Sequence, residues 1–323
     1  KKLRRFPRRT AATAICGMPV MTEYRGTGPR PGKRERTPLL MLAGRKGQVF
    51  FVDPFANAHG SYSATVVGKP GSGKSVVMNE LTASTILSGG RVWIIDAGFS
   101  YKKLCGLLGG SFIEFKDEAR WDLNPLKFLT DGSRHGSFEG DDRELLEMVV
   151  KILSELMTSR GLDDYAESIL SECVQKTART AIAEDRSPLI DDLREMLMGY
   201  RLQGREERSA LEMAAMLQPF AKDGPFAKWF DGGGKPIAFD KTLTVLELDG
   251  LSAHKRLRSA VLMTLMLSIE RAMQTRPKSE TKLVCIDEAW DLMGEGASGR
   301  FIETGYRRAR KLNGSFVTAT QSI

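Results

Sequence analysis

Eight consecutive residues of this chain have the types and spacing that suit the binding of phosphate groups. They read Gly68-Lys69-Pro70-Gly71-Ser72-Gly73-Lys74-Ser75 and fit the P-loop pattern G-x-x-x-x-G-K-[ST] at every fixed position. Glycines let backbone N–H groups point at phosphate oxygens without an intervening Cβ. We expect Lys74 to reach the β- and γ-phosphates and Ser75 to ligate Mg²⁺. The pattern therefore predicts that all eight residues bind a nucleotide, with ATP and Mg²⁺ as the cofactors.

A pair of acidic residues follows an apolar run further along the chain. Asp287 and Glu288 come directly after the buried-strand pattern of residues 282–286. We expect Asp287 to hold Mg²⁺ through water, and Glu288 to orient and deprotonate the attacking water. Two adjacent acids favour ATP hydrolysis over nucleotide-gated switching. The alternative is that they cap the next helix.

Other candidate residues are less specific. Gln321 closes the last apolar run, where it can contact the γ-phosphate or the attacking water, or simply face solvent. Asp96 closes another such run and is either a further acid or a turn and cap residue. Arg307 and Arg310 lie three apart on one predicted helical face, while Arg308 points elsewhere. They are either catalytic arginines or a solvated basic helix end.

The elements that must position these residues alternate between strand and helix. Strands are predicted at 63–67, 91–96, 111–115, 243–248, 282–286 and 315–320, and helices at 75–87, 101–108, 255–273 and 299–311. A hairpin is predicted from 39–42 and 48–52. This alternation predicts an α/β fold with a mostly parallel sheet covered by helices.

The middle of the chain has a different period. From about 141 to 217 the apolar residues recur at helical spacing, and Ser187-Pro188 resembles a helix cap followed by a first-turn proline. We therefore predict three parts: a basic linker-like segment at 1–36, a core formed by 37–130 with 231–323, and an all-helical insertion at 131–230.

Composition sets limits on the function. The hydrophobic fraction is 41%, and no apolar run is long enough to span a bilayer. Four cysteines without a C-x-x-C pair and three scattered histidines argue against a zinc site, and they fit a reducing, cytosolic setting. The absence of an initial Met, and an end directly after a strand-like run, predict a fragment of a longer protein.

Positive charge is concentrated at the start of the chain. Residues 1–36 hold eleven Lys or Arg and two acids, a balance of +9, whereas the whole chain carries +8. The remainder is therefore close to neutral. This segment can bind nucleic acid or anionic lipid, but a solvated linker is the favoured interpretation, and direct nucleic-acid binding is left open.

In combination, these motifs resemble those of the ATPases of conjugative type IV secretion systems, in particular the TraC class of F-type conjugation machines. The resemblance covers the P-loop, residues 91–96, Leu123-Asn124-Pro125, Ile286-Asp287-Glu288-Ala289-Trp290, residues 307–314 and the closing Ala319-Thr320-Gln321-Ser322. It extends from about Leu39 to the end of the chain.

The resemblance implies a RecA-like core of the HerA/FtsK branch, with the helical insertion between the two Walker motifs. It implies a cytoplasmic protein that forms hexamers at the inner-membrane base of a secretion channel and energises pilus assembly and substrate transfer. The family has a further N-terminal domain. The resemblance also implies that the arginine cluster acts on a neighbouring protomer, with Arg310 the first candidate and Arg307 the second.

Two other functions stay open at this stage. One is a DNA translocase or coupling protein of the same superfamily, although the chain shows neither aromatic–basic interleaving nor a spread basic face. The other is an assembly scaffold that hydrolyses ATP slowly. Turnover measured with and without DNA separates the three.

Overall fold

The fold is described from a computed structural model of the chain. The structure describes residues 39–44, 47–56, 62–116, 119–130, 141–158, 160–287, 305–309 and 311–320. The basic segment at 1–36, Glu288, Arg310 and Gln321 lie outside these residues.

Ten strands and seven α-helices are described. The strands are β1 (Leu40–Ala43), β2 (Val49–Val52), β3 (Ala64–Val67), β4 (Arg91–Asp96), β5 (Ser111–Glu114), β6 (Arg201–Leu202), β7 (Arg205–Glu206), β8 (Leu243–Glu247), β9 (Lys282–Ile286) and β10 (Gly314–Thr320). The helices are α1 (Lys74–Leu87), α2 (Lys102–Leu107), α3 (Asp141–Met157), α4 (Asp164–Ala183), α5 (Ile190–Met198), α6 (Arg208–Leu217) and α7 (Lys255–Gln274). Residues 305–309 are also helical.

The central sheet confirms the predicted α/β fold. Six strands pair in the order β3-β10-β9-β4-β8-β5, and every pair is parallel. The inner strands β4, β8, β9 and β10 are buried at every residue, because both faces of a parallel sheet are covered. The continuous apolar runs within β4 and β9 follow from this burial, whereas β10 also buries Ser315, Thr318 and Thr320. β3 lies at the edge and is mostly exposed.

Alternate residues of the strands enter two different cores. Trp93 and Ile95 of β4 pack in a large cluster with residues of α3 to α7. Val92 and Ile94 of the same strand pack in a second cluster with Met78 of α1 and with residues of α2. Side chains alternate across a strand, so the sheet separates a layer of long helices from a layer that holds α1 and α2.

Four helices, α3 to α6, lie between β5 and β8 in the chain, where the sequence predicts helical structure. α3 packs against α7, which connects this segment to the helical layer of the core. One feature differs from the predicted all-helical segment: β6 and β7 form a short antiparallel hairpin. Its turn places Gln203 and Gly204 at φ values of 51° and 78°. A positive φ is uncommon for glutamine, which is why the sequence gives little sign of the turn.

Within the described residues, no helix is both long and apolar enough to span a membrane. Cys105, Cys173 and Cys285 are buried free thiols. Burial raises the pKa of Cys173 to about 11 and that of Cys285 to about 12. These thiols therefore stay protonated near neutral pH and act as small apolar side chains.

Candidate active site

The predicted P-loop connects the edge strand β3 to helix α1. Its first residue, Gly68, donates its N–H to the carbonyl oxygen of Thr320 at 3.2 Å, which fixes the loop to the end of β10. Gly71 and Gly73 have φ values of 74° and 93°, a region that favours glycine. A Cβ on Gly68 would collide with the hydroxyl of Ser72. The loop conformation therefore favours glycine at 71 and 73, and a Cβ at 68 would require the Ser72 side chain to move.

The lysine of the loop lies across its mouth. Lys74 begins α1, and its Nζ donates to the carbonyl oxygen of Gly68 at 3.1 Å. The N-cap residue is Gly73, which has no side chain to accept the first N–H groups of the helix. Those groups have no intrahelical partner, and the positive end of a helix favours an anion. Gly71 and Ser72 are exposed and Ser75 is half-buried, so a phosphate can approach the loop.

Asp287 and the P-loop both lie at the carboxyl-terminal ends of the parallel strands. Asp287 directly follows β9, which is separated from β3 by β10 alone, so the two strands are about 10 Å apart. Asp287 is only 3% exposed. Its N–H donates to the carbonyl oxygen of Ile95 at 2.9 Å, and its Oδ2 accepts a hydrogen bond from the hydroxyl of Tyr101 at 2.7 Å. A buried carboxylate thus lies at the same ends of the parallel strands as the P-loop.

Two further buried carboxylates lie at the carboxyl-terminal ends of the strands. Asp96 ends β4 and Glu247 ends β8, and they are 1% and 0% exposed. Burial, and next the charge of Glu247, raise the pKa of Asp96 to about 7. Asp96 Oδ2 accepts the N–H of Ser100 at 2.7 Å. Asp96 therefore holds a turn, as one of its two predicted roles required, and also lies close enough to Asp287 for the two charges to interact.

Glu247 is absent from the residues singled out in the sequence. Its Oε1 accepts the N–H groups of Gly98 and Asp249 at 3.1 and 3.0 Å, and its Oε2 accepts the N–H of Phe99 at 2.8 Å. The signal was weaker than for Asp96 and Asp287, because Glu247 lies inside the predicted strand 243–248 and is followed by another apolar residue, Leu248. Tyr101 was missed for another reason: its contact with Asp287 joins residues 186 positions apart.

The helix that carries the arginine cluster directly precedes β10 in the chain. Leu312, which follows the cluster, accepts a hydrogen bond at its carbonyl oxygen from Nζ of Lys282 at 3.1 Å. Lys282 begins β9, so this end of the helix lies at the amino-terminal edge of the sheet. The start of the helix lies nearer the P-loop, because Tyr306, the neighbour of Arg307, donates its hydroxyl to Thr318 at 2.9 Å. Thr318 is two residues from Thr320, whose carbonyl oxygen binds Gly68.

The two described arginines of the cluster differ in their surroundings. Arg307 is exposed. The Arg308 side chain is only 13% exposed, and its Nη1 donates to both carboxylate oxygens of Glu270 at 3.1 Å. It also pairs with Glu144 of α3. Arg308 therefore joins three helices and is distinct in role from its neighbour.

The sequence of the chain is similar to those of two conjugation proteins. TraC of Escherichia coli (strain K12) is 30% identical over 299 residues, which cover 89% of this chain and 32% of TraC. The conjugal transfer protein TrbE of Rhizobium radiobacter is 28% identical over 268 residues, which cover 80% of this chain and 29% of TrbE. The chain thus spans about a third of the length of these curated relatives.

Solved structures share the fold. VirB4 of Thermoanaerobacter pseudethanolicus superposes with a TM-score of 0.71 at 23% identity, covering 91% of this chain and 78% of that one. The plasmid coupling protein TrwB in complex with ADP and Mg²⁺ gives a TM-score of 0.55 at 15% identity, covering 90% of this chain and 69% of that one. The sequence similarity to TraC and TrbE confirms the resemblance predicted from the motifs. A protein-family model for the TraG P-loop domain matches residues 50–323, and the chain therefore belongs to the TraG P-loop domain family.

Proposed function

We propose that this chain is a Mg²⁺-dependent ATPase domain that energises conjugative type IV secretion, in pilus assembly and in the transfer of DNA or protein substrate. One observation carries the proposal: a complete P-loop and the buried Asp287 lie at one sheet edge, one strand apart. Names of the relatives add support, because TrbE is a conjugal transfer protein. In this proposal 37–130 and 231–323 form the ATPase core and 131–230 the helical insertion.

The residues present suit a magnesium nucleotide. The loop exposes glycine backbone and a helix N-terminus, which bind phosphate oxygens. Ser75 and Asp287 supply a hydroxyl and a carboxylate, and Mg²⁺ prefers such oxygen donors. When bound, Mg²⁺ neutralises charge that develops on the phosphates. Residues 68–75 would hold the nucleotide, and Ser75 with Asp287 would hold the metal.

The chain's own residues then account for cleavage. Lys74 exchanges its bond with the Gly68 carbonyl oxygen for one with the β- and γ-phosphates. Asp287 keeps its orientation, because its backbone is bonded to β4 and its Oδ2 to Tyr101. Glu288, the next residue, accepts the proton of the attacking water. Gln321, which follows β10, contacts the γ-phosphate or that water.

Assembly is the second part of the proposal. The family resemblance indicates that the arginine cluster contacts a neighbouring protomer, and Arg307 is exposed and so accessible to one. This supports a homo-oligomer, expected to be a hexamer, in which Arg310, or next Arg307, acts in trans. We place the whole protein in the cytoplasm, on inner-membrane components of a type IV secretion channel, following the family resemblance.

The experiment that tests the catalytic assignment is Glu288→Gln. We expect this variant to bind ATP with wild-type affinity and to hydrolyse it at least about 100-fold more slowly, since it loses the general base. Asp287→Asn is the matched control, because it should weaken the Mg²⁺-dependent part of binding instead. If Glu288→Gln loses ATP affinity yet cleaves bound ATP normally, the roles of the two acids are exchanged.

A further inference from the structure

We propose that Tyr101 is a positioning residue for Asp287, the expected Mg²⁺ ligand. The turn at 97–100 places the Tyr101 side chain against Asp287. The inference rests on the proposed function, because it assigns to Tyr101 an effect on Mg²⁺ binding by Asp287. It is carried by one buried contact, the 2.7 Å hydrogen bond from the Tyr101 hydroxyl to Oδ2 of Asp287, and by the way the chain reaches that contact.

The contact is shielded from water on both sides. Tyr101 is fully buried, and Asp287 is 3% exposed. The ring packs with Met78, Val92 and Ile94 in the cluster between the sheet and α1. Its packing fixes where the hydroxyl lies, so the hydroxyl fixes one carboxylate oxygen of Asp287. A partner behind a metal ligand orients that ligand in this way.

The turn that delivers Tyr101 is itself held by buried carboxylates. Residues 97–100 leave β4 and return toward β9 with Gly98 at a φ of 148° and Phe99 at 59°. Phe99 is in a region that bulky side chains rarely adopt. Glu247 holds the N–H groups of Gly98 and Phe99, and Asp96 holds that of Ser100. Carboxylates from two strands thus keep this conformation in place.

This arrangement explains a fully buried acid that the P-loop motif does not require. Glu247 belongs to β8, two strands from the strand of Asp287, and makes its described bonds with the backbone of 98, 99 and 249. Its role is to hold the turn, which places Tyr101. Glu247 thus supports the turn, the turn places Tyr101, and Tyr101 orients Asp287.

The test compares two tyrosine variants that each lose one hydroxyl bonded to a carboxylate. Tyr101→Phe removes the bond to Asp287, and Tyr200→Phe removes a 2.9 Å bond to Glu172 in the helical segment. Two properties are measured: the Mg²⁺ concentration for half-maximal ATP turnover, and the Mg²⁺-dependent part of the thermal stabilisation caused by ADP. The affinity for ATP without Mg²⁺ is the reference.

We expect Tyr101→Phe to raise the Mg²⁺ requirement by roughly 10–100-fold and to leave Mg²⁺-free ATP affinity unchanged, while Tyr200→Phe behaves as wild type. A wild-type Mg²⁺ requirement in Tyr101→Phe would overturn the inference. Wild-type protein without Mg²⁺-dependent hydrolysis would instead overturn the proposed function, so the two failures are distinct. If Tyr101→Phe does not fold, 4-aminophenylalanine at 101, which keeps a donor, is compared with 4-methylphenylalanine, which does not. Equal Mg²⁺ dependence in those two proteins would likewise overturn it.

Discussion

Replacing Arg308 with methionine should destabilise the fold without removing any group from the phosphate site. Arg308 bonds both carboxylate oxygens of Glu270, and the two side chains are 13% and 16% exposed. Methionine keeps the apolar stem but removes the guanidinium that hydrogen-bonds the buried Glu270 carboxylate, which leaves only the weaker charge interaction with Arg271. Breaking a fully buried pair costs about 3–5 kcal/mol. The second partner, Glu144, is 59% exposed and adds at most about 1 kcal/mol.

Because Arg308 and Glu270 are partly exposed, breaking their ion pair should cost less than breaking a fully buried pair. We expect Arg308→Met to reduce the free energy of unfolding by about 2–4 kcal/mol. The assay is urea unfolding followed by circular dichroism, with the exposed Arg307→Met as the matched control. The control should lose less than about 0.5 kcal/mol. Adding Glu270→Gln to Arg308→Met should restore most of the lost stability, because the buried charge is then gone.

The pH dependence has a definite sign. Burial raises the pKa of Glu270, and the charge of Arg308 opposes that rise. Without the guanidinium the folded-state pKa rises further, so the folded protein holds the proton more tightly than the unfolded chain. The defect of Arg308→Met should therefore shrink as pH falls from 8 towards 5. A loss below about 0.5 kcal/mol, or a defect that grows on acidification, would refute the ion-pair reasoning.

Two further predictions concern surfaces and assembly. Deleting residues 1–36 should weaken salt-sensitive binding to nucleic acid or anionic vesicles, because that segment carries +9 and the rest is near neutral; unchanged binding would place the basic surface elsewhere. Mixing inactive Arg310→Ala protein with inactive Lys74→Ala protein should restore some ATP turnover under conditions of confirmed assembly, since some interfaces then pair an intact P-loop with an intact arginine. No recovery, with Arg307→Ala behaving alike, would make the cluster a solvated helix end.

Local patterns account for the parts of the fold that the sequence predicts well. The observed P-loop helix starts at Lys74, one residue from the prediction, and β4 and β9 have the predicted bounds. In each case a run of apolar residues is bounded by glycine or by an acid. α5 shows the limit of such signals, because its N-cap is Leu189 and not Ser187. The N–H of Leu189 donates to the carboxylate of Asp192 at 2.7 Å, so the acceptor belongs to the first turn of the helix and does not precede it.

Contacts between distant parts of the chain could not be predicted in this way. Tyr101 meets Asp287 only because β4 pairs with β9, although β5 and β8 come between them in the chain. Glu144 meets Arg308 only because the helical segment 305–309 lies beside both α3 and α7. These contacts depend on the strand order and the helix packing, and neither of these can be predicted from the spacing of residue types along the sequence.

Turnover of ATP by the Lys74→Ala variant tests the central claim most directly. Lys74 is the charged side chain of the P-loop that lies across its mouth, and its loss removes the cation expected at the β- and γ-phosphates. Wild-type protein should release phosphate from ATP in the presence of Mg²⁺. We expect Lys74→Ala to show no turnover above background while its circular dichroism and urea midpoint match wild type. A folded Lys74→Ala protein with wild-type turnover would contradict the account, because hydrolysis would then occur without the P-loop lysine.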